Sequence, residues 1–301
     1  MKYWKIGFLS VFALLLVFGG YVYTQLRSLD VEKLSDDLFV LRGMGGNTTV
    51  LKTEAGNIIV DTMTTGTQGQ QIRRMAKKLM GQDTILLINT HYHLDHTHGN
   101  PAFDIGMRVV STERTLSYLK KVDGEFWTGD AARLLPNETF TVSQTLEIGG
   151  KTIELIHPGA GHTDGDLVVL FKDERVIHTG DLFFNNHYPN IDLEAGGTVQ
   201  SWPQSLDNVL ALEFDRAVPG HGATSDKVGV AIFQQFLIQL GDIAKTALAE
   251  GTTKEQMVNS TALTEDAGYE PIHFIVPLGL DREFVLKRAW EEVHNDFKRV
   301  Q

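Results

Sequence analysis

The sequence predicts an α/β fold, a sandwich of two sheets with interspersed helices; a loose doubly wound sheet is the alternative. Three observations carry this prediction. Short β-rich runs fall into two groups, stretches with helical spacing separate them, and strand signals stop near Asp226, beyond which only helical patterns follow. The composition supports a sizeable core, because 301 residues with 42% hydrophobic and 22% charged side chains describe a globular chain. Disorder, collagen and coiled coil are excluded as global descriptions.

Lys2 and Lys5 precede an uncharged run from Ile6 to Tyr23. As a helix that run would extend roughly 27 Å, close to the thickness of a bilayer core. No A-x-A-like cleavage site follows it, so an uncleaved membrane anchor is expected ahead of a removable signal peptide. The flanking lysines place the N-terminus inside and the rest of the chain outside the cytoplasm: in the periplasm of a Gram-negative cell, or secreted if the segment is cleaved.

After a short tether, the runs 38–43, 47–53 and 57–62 are split by Gly-Gly-Asn and Ala-Gly-Asn and read as an antiparallel meander. Helical spacing of Ile72, Met75, Ala76 and Leu79 predicts a helix over about 69–80. The run 84–90 is apolar without alternation, the mark of a strand buried on both faces. Further strands are expected at 107–111, 139–143, 151–157, 166–171, 175–180 and 216–222, with helices near 113–121 and 201–212. Phe236, Leu240, Ile243 and Ala247 form one apolar stripe in the tail and Leu286, Trp290, Val293 and Phe297 another, both read as helix faces packed on the sheet.

Charge and cysteine usage narrow the function classes. Twenty-seven basic against 38 acidic residues leave a net charge of −11, a field that repels nucleic acid. The chain has no cysteine, so thiolate metal sites, disulfides and cysteine nucleophiles are impossible. Any metal must be held by nitrogen and oxygen.

The informative segment is Asn89-Thr90-His91-Tyr92-His93-Leu94-Asp95-His96-Thr97-His98. His91 and His93 directly follow the buried strand, and in extended backbone two rings spaced by two residues project to the same side. That suits a shared cation. Asp95 and His96 lie where the chain turns toward the next helix and can face a second cation. His162, Asp181 and His221 each lie just past the C-terminal end of an expected strand, where open α/β sheets gather their ligands.

HYHLDH at 91–96, GHTDGD at 161–166, GD at 180–181 and PGHG at 219–222 resemble, in order and spacing, the metallo-β-lactamase superfamily of hydrolases, over roughly residues 35–225. The resemblance implies an αββα sandwich, here with a C-terminal helical extension and an N-terminal hydrophobic helix. It implies two Zn²⁺ ions, with Fe or Mn also open, the first on His91, His93 and His162, the second on Asp95, His96 and His221, bridged by Asp181. The expected organisation is an anchor or signal segment at 1–30, a catalytic domain at 31–225, and C-terminal helices at 226–301 packed on the same domain.

The implied reaction is attack of metal-bound hydroxide on an ester, thioester, lactone or lactam carbonyl of a small molecule, with Asp95 relaying a proton. Aspartate at position 181, where many true zinc β-lactamases carry cysteine or serine, tilts the expectation toward ester and thioester hydrolysis. A β-lactamase proper and a non-enzymatic, membrane-anchored metal binder are the alternatives. Phosphodiester cleavage conflicts with the acidic surface, and His93 at the glutamate position of the flavodiiron motif disfavours oxygen reduction. A mono-iron sulfur dioxygenase would need only part of the ligand set. Asp61 resembles the family's aspartate that orients a metal histidine. His187 and Tyr188 are candidates for the pocket wall, while His98, His157, His178, His273 and His294 are expected outside the chemistry, and Met44 on an exposed turn. The sequence does not set the oligomeric state.

Overall fold

The structure is a computed structural model that describes residues 19, 20, 22, 24, 27–259, 261–273 and 278–300. Most of the apolar run at 6–23 lies outside the described residues. Among the described residues no helix is long and apolar enough to cross a membrane.

One sheet holds seven strands in chain order: β1 (Asp30–Lys33), β2 (Leu38–Arg42), β3 (Thr48–Thr53), β4 (Gly56–Val60), β5 (Thr84–Ile88), β6 (Arg108–Thr112) and β7 (Glu138–Phe140). β1 to β4 form the antiparallel meander, and β4 to β7 run parallel. Crossovers carry α1 (Gly66–Met80) between β4 and β5, the single-turn α2 (Leu94–Thr97) between β5 and β6, and α3 (Glu113–Lys121) between β6 and β7. The second sheet has five strands in the order β12 (Arg216–His221), β11 (Val176–Phe184), β10 (Val168–Phe171), β9 (Lys151–Ile156) and β8 (Ser143–Ile148). Only β11 and β12 are parallel there. The helices α4 (Trp202–Leu210), α5 (Lys227–Glu250), α6 (Lys254–Val258) and α7 (Arg282–His294) complete the chain.

Alternation along the strands sorts side chains into layers. Ile58 and Val60 of β4 and Leu86 and Ile88 of β5 point inward to meet Ile153, Leu155, Val169 and Phe171 of the other sheet. Their neighbours Ile59 and Leu87 point outward, onto Ile72, Ala76 and Leu119 of α1 and α3. On the far side, Leu170, Ile177 and Phe183 pack against Trp202, Phe233, Leu237 and Leu286 of the helices. Helix, sheet, sheet, helix is the αββα order.

Several expectations need correcting in detail. α1 starts a turn earlier than its apolar spacing suggests, because Thr65 caps it by accepting from Gln68 N (3.3 Å). The run 139–143 is not one strand: 138–140 pairs with β6 and Ser143 begins β8 in the other sheet. β1 was not anticipated, since its mostly exposed DVEK carries no apolar pattern. β11 does not stop at Gly180 but continues to Phe184 through a register shift, so Asp181 sits inside a strand, and His221 is the last residue of β12.

Candidate metal centre

The site forms where the C-terminal ends of β4 and β5 meet β11 and β12. His91 and His93 follow β5 on the loop that leads into α2, and Asp95 and His96 sit on that single helical turn. His162 comes from the loop between β9 and β10, Asp181 from β11 and His221 from β12. The structure brings all seven side chains together. Ligand atoms of His91, His93, His162 and Asp181 lie within 4.8 Å of one another, as do those of Asp95, His96 and His221.

Asp181 lies between the two groups. Its Oδ2 faces His91 Nε2 (3.8 Å) and His162 Nε2 (3.6 Å), while its Oδ1 faces His96 Nε2 (3.1 Å) and His221 Nε2 (3.5 Å). Asp95 Oδ2 lies 3.2 Å from His221 Nε2 and 3.7 Å from His96 Nε2. Two glycines make this closeness possible. A Cβ at Gly46 would fall 2.1 Å from His96 Cε1, and one at Gly220 would fall 1.9 Å from Asp181 Oδ1.

Three of the rings are turned by partners outside the cluster. His96 Nδ1 donates to Asp61 Oδ2 (2.7 Å) and His162 Nδ1 to the Asn190 carbonyl (2.8 Å), which aims both Nε2 atoms inward. His93 is turned the other way: its Nε2 meets Asp192 Oδ2 (3.0 Å), leaving Nδ1 to face His162 Nε2 at 2.8 Å. Asp61 is fully buried and adopts φ +59°, a conformation non-glycine residues rarely take. Thr90 holds it there, its amide donating to Oδ1 (2.8 Å) and its hydroxyl to Oδ2 (2.7 Å).

Burial is the largest influence on His91, His93, His96, His162, Asp95 and Asp181. It drives the His91 pKa well below the ordinary imidazole value, with His96 adding to the effect, and lowers that of His162 to about 4 with the help of His93. Both rings are therefore neutral, as metal ligation requires. For His96 burial is outweighed by Asp181, Asp95 and Asp61, which hold its pKa well above the usual range. The reverse holds for the acids. Burial opposes ionisation of Asp181 and Asp95, but His96 and His221 keep both as carboxylates, the Asp95 pKa at about 2.

Asp192 is the functional residue that sequence reasoning missed. It lies in the loop after β11, is 9% exposed, and also accepts from the Tyr92 hydroxyl and from Ala195 N (3.0 Å). No periodicity or motif marks it. His187 and Tyr188 do not line the cavity beside the cluster; they bind the segment that does, as described below. His98 pairs with Asp123 (2.7 Å) and stacks on Phe126, His157 bonds to the Asp166 carbonyl, and His294 stacks on Trp290. His178 is buried with its Nδ1 on Thr49 Oγ1 (2.7 Å). Met44 is half-buried rather than exposed, its carbonyl accepting from Thr64 Oγ1 and Gln68 Nε2.

A four-layer αββα sandwich with a histidine and aspartate cluster along one edge defines the class: a metal-dependent hydrolase. The sequence pattern of the metallo-beta-lactamase superfamily matches residues 41–221, and the chain belongs to that superfamily. It is 26% identical over 217 residues to a metallo-beta-lactamase type 2 of Bacillus sp. (strain 170), covering 68% of this chain and 81% of that protein. It is 29% identical over 178 residues to the 2,4-dinitroanisole O-demethylase subunit alpha of Nocardioides sp. (strain JS1661), covering 58% of this chain and 52% of that protein. A solved metallo-beta-lactamase from Pontibacter korlensis superposes with a TM-score of 0.60 at 22% identity, over 70% of this chain and 99% of that one, a likeness of fold.

Proposed function

We propose that this superfamily member is a dinuclear zinc hydrolase that opens an ester, thioester, lactone or lactam carbonyl of a small molecule. The observation that carries the reading is Asp181, whose two oxygens face separate groups of histidines as a bridging carboxylate must.

The residues fit such ions. His91 Nε2, His96 Nε2 and Asp181 Oδ1 are buried without a hydrogen-bond partner, an arrangement that is costly unless a cation takes up the lone pairs. A donor set of imidazole nitrogen with a minority of carboxylate oxygen favours Zn²⁺, with Fe or Mn as the other candidates. His91, His93 and His162 would hold one ion, Asp95, His96 and His221 the other, and Asp181 both. When bound, such ions act as Lewis acids on a carbonyl and bring the pKa of water near neutrality.

The chain's own groups do the rest. Asp61, Asp192 and the Asn190 carbonyl fix which nitrogen His96, His93 and His162 present. Asp95 borders the cavity, and its Oδ2 is the oxygen through which a proton would pass to a departing group. Aspartate at position 181 supports an ester or thioester substrate over a lactam.

A β-lactamase proper is the second reading, favoured by the names of the relatives. Metal content by elemental analysis, together with turnover of a panel of lactones, thioesters and nitrocefin, tests both readings. Two zinc ions per chain with ester or lactone turnover are expected; full activity in rigorously demetallated protein would end the account. The hydrophobic run at 6–23 supports a chain held at a membrane and facing outside the cytoplasm, which fractionation of cells expressing the full chain would test.

A further inference from the structure

A cavity of about 260 Å³ opens beside the cluster, floored by His93, Asp95, Asp181 and His221. Apart from Asn190, the other described lining residues are apolar. Leu94 and Phe184 come from the family-matched stretch, but Ile272, Leu278 and Leu280 come from beyond it. Among the described residues of the lining, Asn190 adds an amide. Among the described residues no lysine or arginine lines the cavity, and the sequence from 269 to 280 carries none.

This wall is held in place by specific bonds. Tyr188 N donates to the Glu270 carbonyl (3.2 Å), and Glu270 N donates to the Asn186 carbonyl (3.0 Å). The Tyr188 hydroxyl donates to Asp266 Oδ2 (2.8 Å), a carboxylate that also pairs with Arg282 at the start of α7. Ile272 is buried, whereas Leu278 is 44% exposed and Leu94 49% exposed at the mouth. Open leucines beside a polar floor gain most from an apolar ligand group laid against them.

We infer that Ile272, Leu278 and Leu280 determine specificity, selecting substrates whose acyl group is uncharged and apolar. The inference deepens the hydrolase reading and rests on it. A substrate carboxylate lying against this wall would lose water with no cationic donor to replace it, whereas an alkyl chain would exchange water for carbon. Ligands whose acyl chain would lay a carboxylate against this wall are therefore disfavoured by this chain's own extension.

The test is binding to the full-length, zinc-loaded protein, by calorimetry, of acetohydroxamate, butyrohydroxamate, hexanohydroxamate and the ω-carboxylate of the hexanoyl compound. Each methylene that enters the cavity should tighten Kd about fourfold. The ω-carboxylate should bind at least about tenfold more weakly than hexanohydroxamate. Leu280→Ala should weaken hexanohydroxamate and leave acetohydroxamate essentially unchanged. Leu278→Lys, at an exposed position that tolerates a long polar side chain, should narrow or reverse the gap between the charged and uncharged ligands. Equal binding of both by the wild type, or a Leu278→Lys variant with the wild-type preference, would overturn the inference. The two proposals fail separately: the expected hydroxamate pattern without turnover of any ester, thioester or lactone defeats the hydrolase reading alone, and turnover with a flat hydroxamate series defeats the wall alone.

Discussion

Asp192→Asn is expected to weaken one metal site selectively. The carboxylate is asked for two acceptors at once. Oδ2 receives His93 Nε2 and the Tyr92 hydroxyl, and Oδ1 receives the backbone N–H of Ala195. An amide of the same shape offers one acceptor and one donor, so whichever way it turns, a donor meets a donor. If its NH₂ faces His93, the ring keeps its proton on Nδ1, the nitrogen that faces His162, and can no longer ligate. If the NH₂ faces Ala195, that buried backbone donor loses its side-chain acceptor and keeps only the longer bond to the Asp192 carbonyl (3.2 Å). Removal of a ligand's orienting partner typically costs about 10 to 100-fold in metal affinity, or about 1.4–2.7 kcal/mol. Competition titration against a chromophoric zinc chelator reads this directly. One of the two sites should weaken by that amount and the other, built on Asp95, His96 and His221, should hold. Asp192→Ala, which removes the conflict along with the acceptor, should be no worse at that site than Asp192→Asn. Unchanged affinity at both sites in Asp192→Asn would mean that His93 does not ligate through Nδ1.

Asp181→Ala should lower zinc content and cut kcat by about a hundredfold or more, the scale seen when a charge-stabilising group leaves a catalytic site; elemental analysis and steady-state kinetics check it. Gly46→Ala places a methyl 2.1 Å from the buried His96 ring, which Asp61 holds, and should weaken the second ion and lower stability by about 1–3 kcal/mol, read by zinc titration and Tm. Three tyrosines should titrate late: burial, then Asp266, raises Tyr188 to about 12 and pushes Tyr269 higher still, and burial, then Asp164, raises Tyr118 well above the ordinary phenol value. Their folded pKa values exceed the unfolded value, so the stabilisation is complete below about pH 10 and is lost as pH rises through about 12 and beyond. Tyrosinate absorbance of the folded chain should lag behind that of the chain in urea, and coincident curves would contradict the burial described here.

The strands and helices of the central sandwich were legible because their apolar patterns are strong: β5 is apolar without a break from Ile85 to Ile88, and the stripes of α5 and α7 repeat at helical spacing. The failures have physical causes. At 141–142 the chain leaves one sheet for the other with Thr and Val in place of Gly or Pro, so composition gives no break between β7 and β8. β11 outruns its expected end because Gly180, at φ +52°, lets the strand bend and resume rather than stop. The seven residues of the cluster were legible from spaced motifs, but Asp192 was not, since a lone aspartate in the loop 185–201 resembles any turn residue. The apolar wall was equally hidden: Ile272, Leu278 and Leu280 carry no helical or strand pattern, and bonds from Asn186 and Tyr188 to Glu270 and Asp266 bring the segment over the site.

What the sequence lists as histidines, the fold converts into directed lone pairs, and the conversion depends on groups far away in the chain. Asp61 turns His96, Asn190 turns His162 and Asp192 turns His93, the last through the opposite nitrogen. Each partner enters from a different segment, so no local stretch of chain could organise the cluster alone. Asp61 shows the cost, since a non-glycine residue at φ +59° carries about 1–3 kcal/mol of backbone strain. That strain persists because the same carboxylate accepts from the amide and hydroxyl of Thr90, next to His91, and from His96. One strained aspartate therefore ties the end of β4 to the loop after β5 and to α2. The orientation of the rings is a property of how those three elements pack, set before any ligand arrives.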